Sequence, residues 1–305
     1  MYKRKKILIT GSNGMLGKDI VDCMLLNKKY EVFGMNRTRD DNLDKIHSVI
    51  CDITDENLLY EKLNEVKPDI IIHCAANVDV EYCELNKKIA YNLNLQSTEN
   101  LMKYKDAKII YISTDSVFDG IKGEYLEGSL KNPINYYAFT KSEGEEFVLK
   151  RNNSIVIRTN LYGFHKPIKT SLAEWIITNF EKNNTIIGFN DVVFNPVYTV
   201  QLARAIKKMI EIDFKGVIHV GSSEKISKYE FLKKIARSLK IDEKYVLSKS
   251  ISFIKFHAKR PKNTSLKVDK LNNLGISFTI EEGINQLIDD YKKYKEQNNN
   301  ENKNR

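Results

Sequence analysis

The stretch that decides the fold runs Ile7-Leu8-Ile9-Thr10-Gly11-Ser12-Asn13-Gly14-Met15-Leu16-Gly17. It is a short apolar run, then three glycines spaced three apart, then a segment from Lys18 to Leu26 with helical spacing of its apolar residues. Glycine accepts φ > 0 and carries no Cβ, so the backbone can turn sharply and press against a ligand. A helix that begins there points free N–H groups and the positive end of its dipole at the turn, which makes an anion site. Strand, glycine turn and helix in that order predict the first βαβ unit of a dinucleotide-binding sheet. The plainer reading is a tight turn whose glycines serve packing alone. The rest of the chain separates the two.

Outward from this stretch, apolar runs recur at Glu31 to Met35, Val49 to Cys51, Ile70 to Cys74, Ile109 to Ile112, Ile155 to Ile157 and Val217 to Val220. Helix-like segments lie between them: Leu58 to Val66, Asn86 to Tyr104, Asn135 to Lys150 and Val200 to Ile212. Strands that are nearly all apolar and alternate with helices predict a parallel sheet covered on both faces, a doubly wound α/β fold. After Val220 the pattern changes. Ser227-Lys228-Tyr229-Glu230 is a capping box opening a helix to about Leu239, and Thr279-Ile280-Glu281-Glu282 opens another to about Lys293. Between them Tyr245 to Leu274 is irregular. The sheet unit is therefore expected over 1–163 and 184–222, and a smaller substrate-binding unit over 164–183 and 223–293. The Asn/Lys/Glu-rich end, 294–305, is expected as a disordered polar tail.

Composition narrows the class. The chain has 305 residues, 42% hydrophobic and 29% charged, which suits a globular protein of one large or two unequal units. No run approaches the ~18 apolar residues that a membrane span needs, and the basic N-terminus leads straight into a strand, with no signal-peptide pattern. Cys23, Cys51, Cys74 and Cys83 are scattered, with no CxxC pair and no histidine at ligand spacing. They read as small core residues in a reducing cytoplasm, and no metal site is expected. The net charge of +9 is spread over the chain without a basic stripe interleaved with aromatics, so nucleic acid is not the expected partner. A small polyanion such as a nucleotide accounts for the charge equally well.

An acidic residue about 20 positions past the glycines would hold the ribose 2′-hydroxyl of NAD. Here the second strand ends Gly34-Met35-Asn36-Arg37-Thr38-Arg39, with no carboxylate until Asp40. Arg37 favours the 2′-phosphate of NADP instead, with NAD(H) as the second choice.

A reductase needs an acid to protonate the oxygen as hydride reaches carbon. A tyrosine serves if a nearby cation lowers its ordinary pKa of about 10. Tyr and Lys at i and i+4 share one helix face. That spacing also occurs at Tyr2/Lys6, Tyr104/Lys108, Tyr162/Lys166, Tyr229/Lys233, Tyr245/Lys249 and Tyr291/Lys295, so position must decide. Tyr137/Lys141 alone opens a helix after a loop that leaves the carboxyl end of a central strand, where open α/β sheets bind ligands. The same strand ends in Ser113-Thr114-Asp115, which sets a hydroxyl where a substrate carbonyl can accept from it.

The glycine stretch, Ser113-Thr114-Asp115-Ser116-Val117-Phe118-Asp119-Gly120 and Tyr137-Ala138-Phe139-Thr140-Lys141-Ser142-Glu143-Gly144-Glu145 together resemble the extended short-chain dehydrogenase/reductases, in particular their dTDP-4-dehydrorhamnose reductase branch. The resemblance covers nearly the whole chain apart from the tail. It implies a Rossmann sheet with a smaller, mostly C-terminal substrate domain. It also implies an NADP(H)-dependent reductase of a nucleotide-linked 4-keto-6-deoxyhexose, serving deoxysugar and polysaccharide synthesis. By position it puts Gly14, Met15 and Leu16 under the cofactor's pyrophosphate, with Gly11 making the turn, Gly17 allowing helix–sheet packing and Asn13 a further cofactor-binding residue. Asp52 and Ile53 would flank the adenine, and Ala75, Ala76 and Asn77 would line the cofactor cleft. Tyr137 would donate the proton, Lys141 would hold the nicotinamide ribose and lower the Tyr137 pKa, and Thr114 would orient the carbonyl. Asp115, Asn160 and Arg260 would meet the substrate, Arg260 at its pyrophosphate. A nucleotide sugar is the implied partner and a homodimer the implied assembly.

Two departures fall where the sugar should sit. Ser116 replaces the branch's usual aromatic, and Asn160-Leu161 stand where a tryptophan is usual. Ser116 also lacks the acid that the related dehydratases carry after Thr-Asp, which argues against dehydration. A nucleotide-sugar epimerase, an epimerase-reductase and a non-catalytic NADP-binding regulatory subunit are the competing readings within the same resemblance. His73, in an apolar strand, reads as a satisfied core histidine, and Asn94 as a bridge between backbone groups. Trp175 reads as packing between the two units.

Overall fold

A computed structural model describes residues 4–39, 45–166, 168–169 and 171–303, so Asp40 and the last two residues of the expected tail lie outside the described residues. Seven strands form one parallel sheet: β1 (Lys5–Thr10), β2 (Tyr30–Asn36), β3 (His47–Ile50), β4 (Ile70–His73), β5 (Lys108–Ile112), β6 (Ile155–Thr159) and Gly216–Val220. Their spatial order is Gly216–Val220, β6, β5, β4, β1, β2, β3, with every neighbouring pair parallel. The order reverses between β1 and β4, the switch point at which such sheets open a crevice beyond their carboxyl ends. The chain is therefore α/β, a Rossmann-type doubly wound sheet.

The strands are apolar throughout because both faces are covered. Ile7 and Ile9 face one core with Ile20 and Met24 of the Met15–Leu25 helix and Leu202 and Ile206 of the Thr199–Glu211 helix. Leu8, between them, faces the other core with Leu59 and Leu63 of the Glu56–Val66 helix, Leu101 and Val148. Successive strand side chains alternate faces, so a run of three apolar residues feeds two cores.

The helical stretch expected from Asn86 to Tyr104 begins earlier and is less regular. A first turn, Val80–Leu85, is capped by the Asp79 side chain, which accepts from the Tyr82 N–H at 2.9 Å. A π-helical segment follows at Tyr91–Gln96 before the Ser97–Lys103 helix. Asn94 sits inside that segment, fully buried.

The second unit gathers the helices Leu172–Glu181, Lys228–Ser238 and Ile280–Lys303 around Phe180, Phe194, Phe231, Ile235 and Leu287. Its boundaries differ from those expected. Ile186–Phe189, assigned to the sheet unit by the 184–222 boundary, instead pairs in parallel with Val246–Lys249, and Ile186 and Phe194 enter the second core. Conversely Val268, Leu271 and Ile276, assigned to the second unit, return to the first core. An apolar pattern marks which residues are buried but not which of two cores receives them. Trp175, expected to pack between the two units, is 42% exposed. The tail expected to be disordered continues the last helix to Lys303. The packed half of that helix supplies the nucleus, and propagating through Lys, Glu, Gln and Asn with no Pro or Gly costs little.

Candidate active site

The glycine turn closes β1 as expected. Gly11 has φ +67° and its carbonyl accepts from the Gly14 N–H at 3.0 Å. Gly14 is the N-cap of the Met15–Leu25 helix, and no side chain caps that end, so the first-turn N–H groups are available to an anion. A Cβ on Gly17 would stand 2.2 Å from the Gly11 carbonyl oxygen, so the helix presses against the turn only because this residue has none. Asn36, which sequence reasoning gave no role, fastens the turn. Its side chain donates to Ser12 Oγ at 2.7 Å and accepts from the Asn13 N–H at 3.1 Å. A polar residue ending an otherwise apolar strand was its signal.

A cavity of about 880 Å³ opens beyond the carboxyl ends of the strands. Of the residues expected at the site it brings together Gly11, Gly14, Met15, Leu16, Gly17, Ala76, Thr114, Asp115, Tyr137, Lys141, Asn160 and Arg260. Asn13, Arg37, Asp52, Ile53, Ala75 and Asn77 lie outside its lining. Arg37 is exposed just past β2 and near enough to Asp52 to help hold that carboxyl low, after the larger effect of the Thr54 hydrogen bonds. Ile53 is buried in the core. The backbone N–H and C=O of Asn77 are held by the Asn94 side chain at 2.7 and 2.9 Å, so Asn94 bridges backbone as expected.

Tyr137 and Lys141 stand on one face of the Tyr136–Leu149 helix. Asn135 caps that helix by accepting from the Ala138 N–H at 2.9 Å. The same Asn135 donates to the Lys259 carbonyl at 3.0 Å, which ties the helix start to the second unit. Burial pushes the Tyr137 phenol well up, the Thr114 hydrogen bond pulls it back, and the Asp115 charge adds to the rise. Burial lowers the Lys141 ammonium to about 7, against the opposing pull of Cys74 and Glu145. The ammonium stands 4.0 Å from the centroid of the Tyr111 ring, a cation–π seat. The Thr114 side chain is the phenol's hydrogen-bond partner.

Thr114 ends the loop after β5 and donates to Asp115 Oδ1 at 3.2 Å. Asp115 is fully buried and accepts from Asn160 Nδ2 at 2.9 Å and from Thr264 Oγ1. Burial raises its pKa, and these donors act against the rise. Ser116 Oγ turns to the same carboxylate at 3.3 Å. Arg260 lines the cavity while one of its Nη atoms pairs with Glu81 at 2.9 Å. Its Nε is buried without a partner among the described residues. His73 is a core residue as expected. Thr10 and Thr98 hydroxyls bond its two ring nitrogens at 2.8 and 3.1 Å, and burial lowers it to about 3.

Lys228 and His165 also line the cavity and were not anticipated as site residues. His165 Nδ1 is 2.9 Å from the buried Glu174 carboxylate, which also accepts from the His165 and Lys169 N–H groups. No pattern in the sequence marks either residue: a loop brings in His165 and the first turn of the Lys228–Ser238 helix brings in Lys228, and packing of the second unit places both. Among the described residues no helix is long and apolar enough to cross a membrane.

The whole architecture recurs in solved proteins. A dTDP-4-dehydrorhamnose reductase from Bacillus anthracis str. Ames, solved in complex with NADP, aligns with a TM-score of 0.83 and 30% identity, covering 94% of this chain and 99% of that one. In sequence, the methionine adenosyltransferase 2 subunit beta of Bos taurus is 30% identical over 89% of this chain and 83% of its own. The dTDP-4-dehydrorhamnose reductase of Aggregatibacter actinomycetemcomitans is 29% identical over 87% and 92%. The RmlD substrate binding domain matches residues 5–293, and the chain belongs to that family.

Proposed function

We propose that the protein is an NADPH-dependent reductase of a nucleotide-linked 4-keto-6-deoxyhexose. The observation that carries this reading is the convergence of Thr114, Tyr137 and Lys141 on the same cavity as the glycine turn. The turn fits a dinucleotide pyrophosphate: an uncapped helix end faces it, and a Cβ at Gly17 would close the cradle. Gly11, Gly14, Met15 and Leu16 would hold the phosphates, Arg37 the 2′-phosphate, and Lys141 the nicotinamide ribose. The NADP in the Bacillus anthracis relative supports this assignment. When bound, the nicotinamide supplies hydride to the carbonyl carbon.

The chain's own residues complete the reduction. Thr114 Oγ1 donates to the substrate carbonyl oxygen and fixes its position. Tyr137 transfers its phenolic proton to that oxygen, so that C=O becomes CH–OH. A phenol kept protonated by burial is an acid and not a base at neutral pH, which suits the reductive direction. Asn160 and Asp115, joined at 2.9 Å, form the wall against which the sugar would lie.

The test is an NADPH-oxidation screen over dTDP-, UDP- and GDP-linked 4-keto-6-deoxy sugars. One NADPH consumed per sugar reduced is expected. Catalytic cofactor recycling would indicate an epimerase instead. The 30% identity to the methionine adenosyltransferase subunit supports a second reading, a non-catalytic binding subunit. No oxidation with any keto sugar, together with co-purification of a partner enzyme, would favour that reading.

A further inference from the structure

A short helix, Val80–Leu85, joins two walls of the cavity. Val78, Asp79 and Val80 line the cavity where this helix opens. The Asn94 side chain holds the preceding Asn77 backbone at both its N–H and its C=O, and the Cys83 thiol donates to the same carbonyl at 3.4 Å. Near the other end, Glu84 Oε2 accepts from the Tyr136 N–H at 2.8 Å. Tyr136 is the first residue of the helix that carries Tyr137 and Lys141. The short helix is thereby fixed to the Tyr137 side of the cavity at both its ends.

Glu81, between these anchors, faces the opposite wall. Its carboxylate accepts from three donors in one segment of the second unit: the His257 N–H at 2.9 Å, the Ala258 N–H at 3.3 Å and Arg260 Nη2 at 2.9 Å. That segment lines the cavity with Phe256, Arg260 and Pro261, while Glu81 itself lies outside the lining. From Ile254 to Lys262 the chain forms neither helix nor strand. Its course is therefore set by the partners that its backbone and side chains find. A further bond, from Asn135 Nδ2 to the Lys259 carbonyl, comes from the residue that caps the Tyr137 helix. Arg260 is held at one Nη by Glu81, with its guanidinium 5.1 Å from the Phe256 ring centroid. The Glu81 and Arg260 side chains are 30% and 27% exposed, and a pair so exposed adds little to stability. Its effect lies in where it holds the segment.

We propose that Glu81 is a positioning residue for the substrate, pre-ordering the 256–261 segment that forms the second unit's wall of the cavity. The inference rests on the nucleotide-sugar reading given above. A nucleotide-linked sugar reaches from Thr114 and Tyr137 to the far wall. A wall already in place spares the ordering that binding would otherwise require. The segment meets the unreacting end of the substrate, so its contribution is the same in the ground and transition states and appears in KM.

The test follows NADPH oxidation with whichever dTDP-, UDP- or GDP-linked 4-keto-6-deoxy sugar the wild type reduces, with NADPH affinity measured separately by fluorescence. Glu81→Ala should raise KM for that sugar nucleotide by about tenfold or more. Its kcat and its NADPH affinity should stay within about threefold of wild type. Glu81→Gln keeps an oxygen for the amide N–H groups but loses the charge, and its KM should fall between the two; it also carries the comparison if Glu81→Ala does not fold. In an Arg260→Ala background, Glu81→Ala should add less than about threefold, because both act through one segment. A KM within about threefold of wild type, a loss confined to kcat, or effects of the two substitutions that simply multiply overturns the positioning role. A wild type that oxidises NADPH with none of these sugars overturns the nucleotide-sugar reading itself, and the positioning role with it.

Discussion

The carboxylate of Glu145 and the guanidinium of Arg158, both almost fully buried, form a forked ion pair: Nη2 to Oε2 at 2.7 Å and Nε to Oε1 at 3.0 Å. Glu145 lies two turns beyond Tyr137 on the same helix, and Arg158 is in β6. Glu145 also accepts from Ser113 Oγ at the end of β5 and faces Lys131 at 3.3 Å. The pair therefore fixes the helix that carries Tyr137 and Lys141 against the two strands beneath the cavity. Removing one partner leaves a buried charge alone, so Glu145→Ala should cost about 3–5 kcal/mol in denaturant unfolding. Replacing both residues with apolar ones of similar volume should recover most of that loss.

Tyr137 supplies the proton in the proposed reduction. Tyr137→Phe should lower kcat by about 10²–10⁴-fold. NADPH affinity, measured by fluorescence titration, should be little changed. Undiminished turnover would remove Tyr137 from the mechanism.

At Gly17 the backbone of the turn leaves no room for a side chain. Gly17→Ala must push the Met15–Leu25 helix away from Gly11. NADPH binding should weaken by about tenfold or more, equivalent to ~1.4 kcal/mol. The readout is the dissociation constant, with far-ultraviolet circular dichroism as the control for folding.

Lys141 gives the unliganded protein a specific pH dependence. Its ordinary pKa of 10.5 falls to about 7 in the fold, so between those values the unfolded chain holds a proton that the folded chain has released. The cost of burying the ammonium is full below pH 7 and fades as pH rises toward 10.5. Lys141→Met should therefore stabilise the protein in chemical denaturation, and more at pH 6 than at pH 10. A stabilisation independent of pH would contradict the assignment.

Arg37 stands exposed at the end of β2, where the ribose of a dinucleotide would lie. A charge-assisted bond to a 2′-phosphate contributes about 1.5–3 kcal/mol. Arg37→Gln should cut kcat/KM for NADPH by about 10- to 100-fold and leave that for NADH nearly unchanged. Equal or higher wild-type kcat/KM with NADH would sink the NADPH preference.

The sequence by itself determined the sheet and its glycine turn. Each strand run matched an observed strand, because an apolar segment bounded by turn residues is a local signal when both sheet faces are covered. It also isolated Tyr137/Lys141 from six other pairs of the same spacing, because topology restricts ligands to one edge of the sheet. The tertiary structure alone decided what touches across the chain. Asp115 meets Thr264 across 149 positions, Ile186 joins the second core while Val268 returns to the first, and Lys228 enters the cavity from the opening turn of a helix. It also placed the Lys141 ammonium over the Tyr111 ring. Periodicity reports which face of an element is buried; its burial partner is chosen by packing between distant segments, which no local pattern encodes.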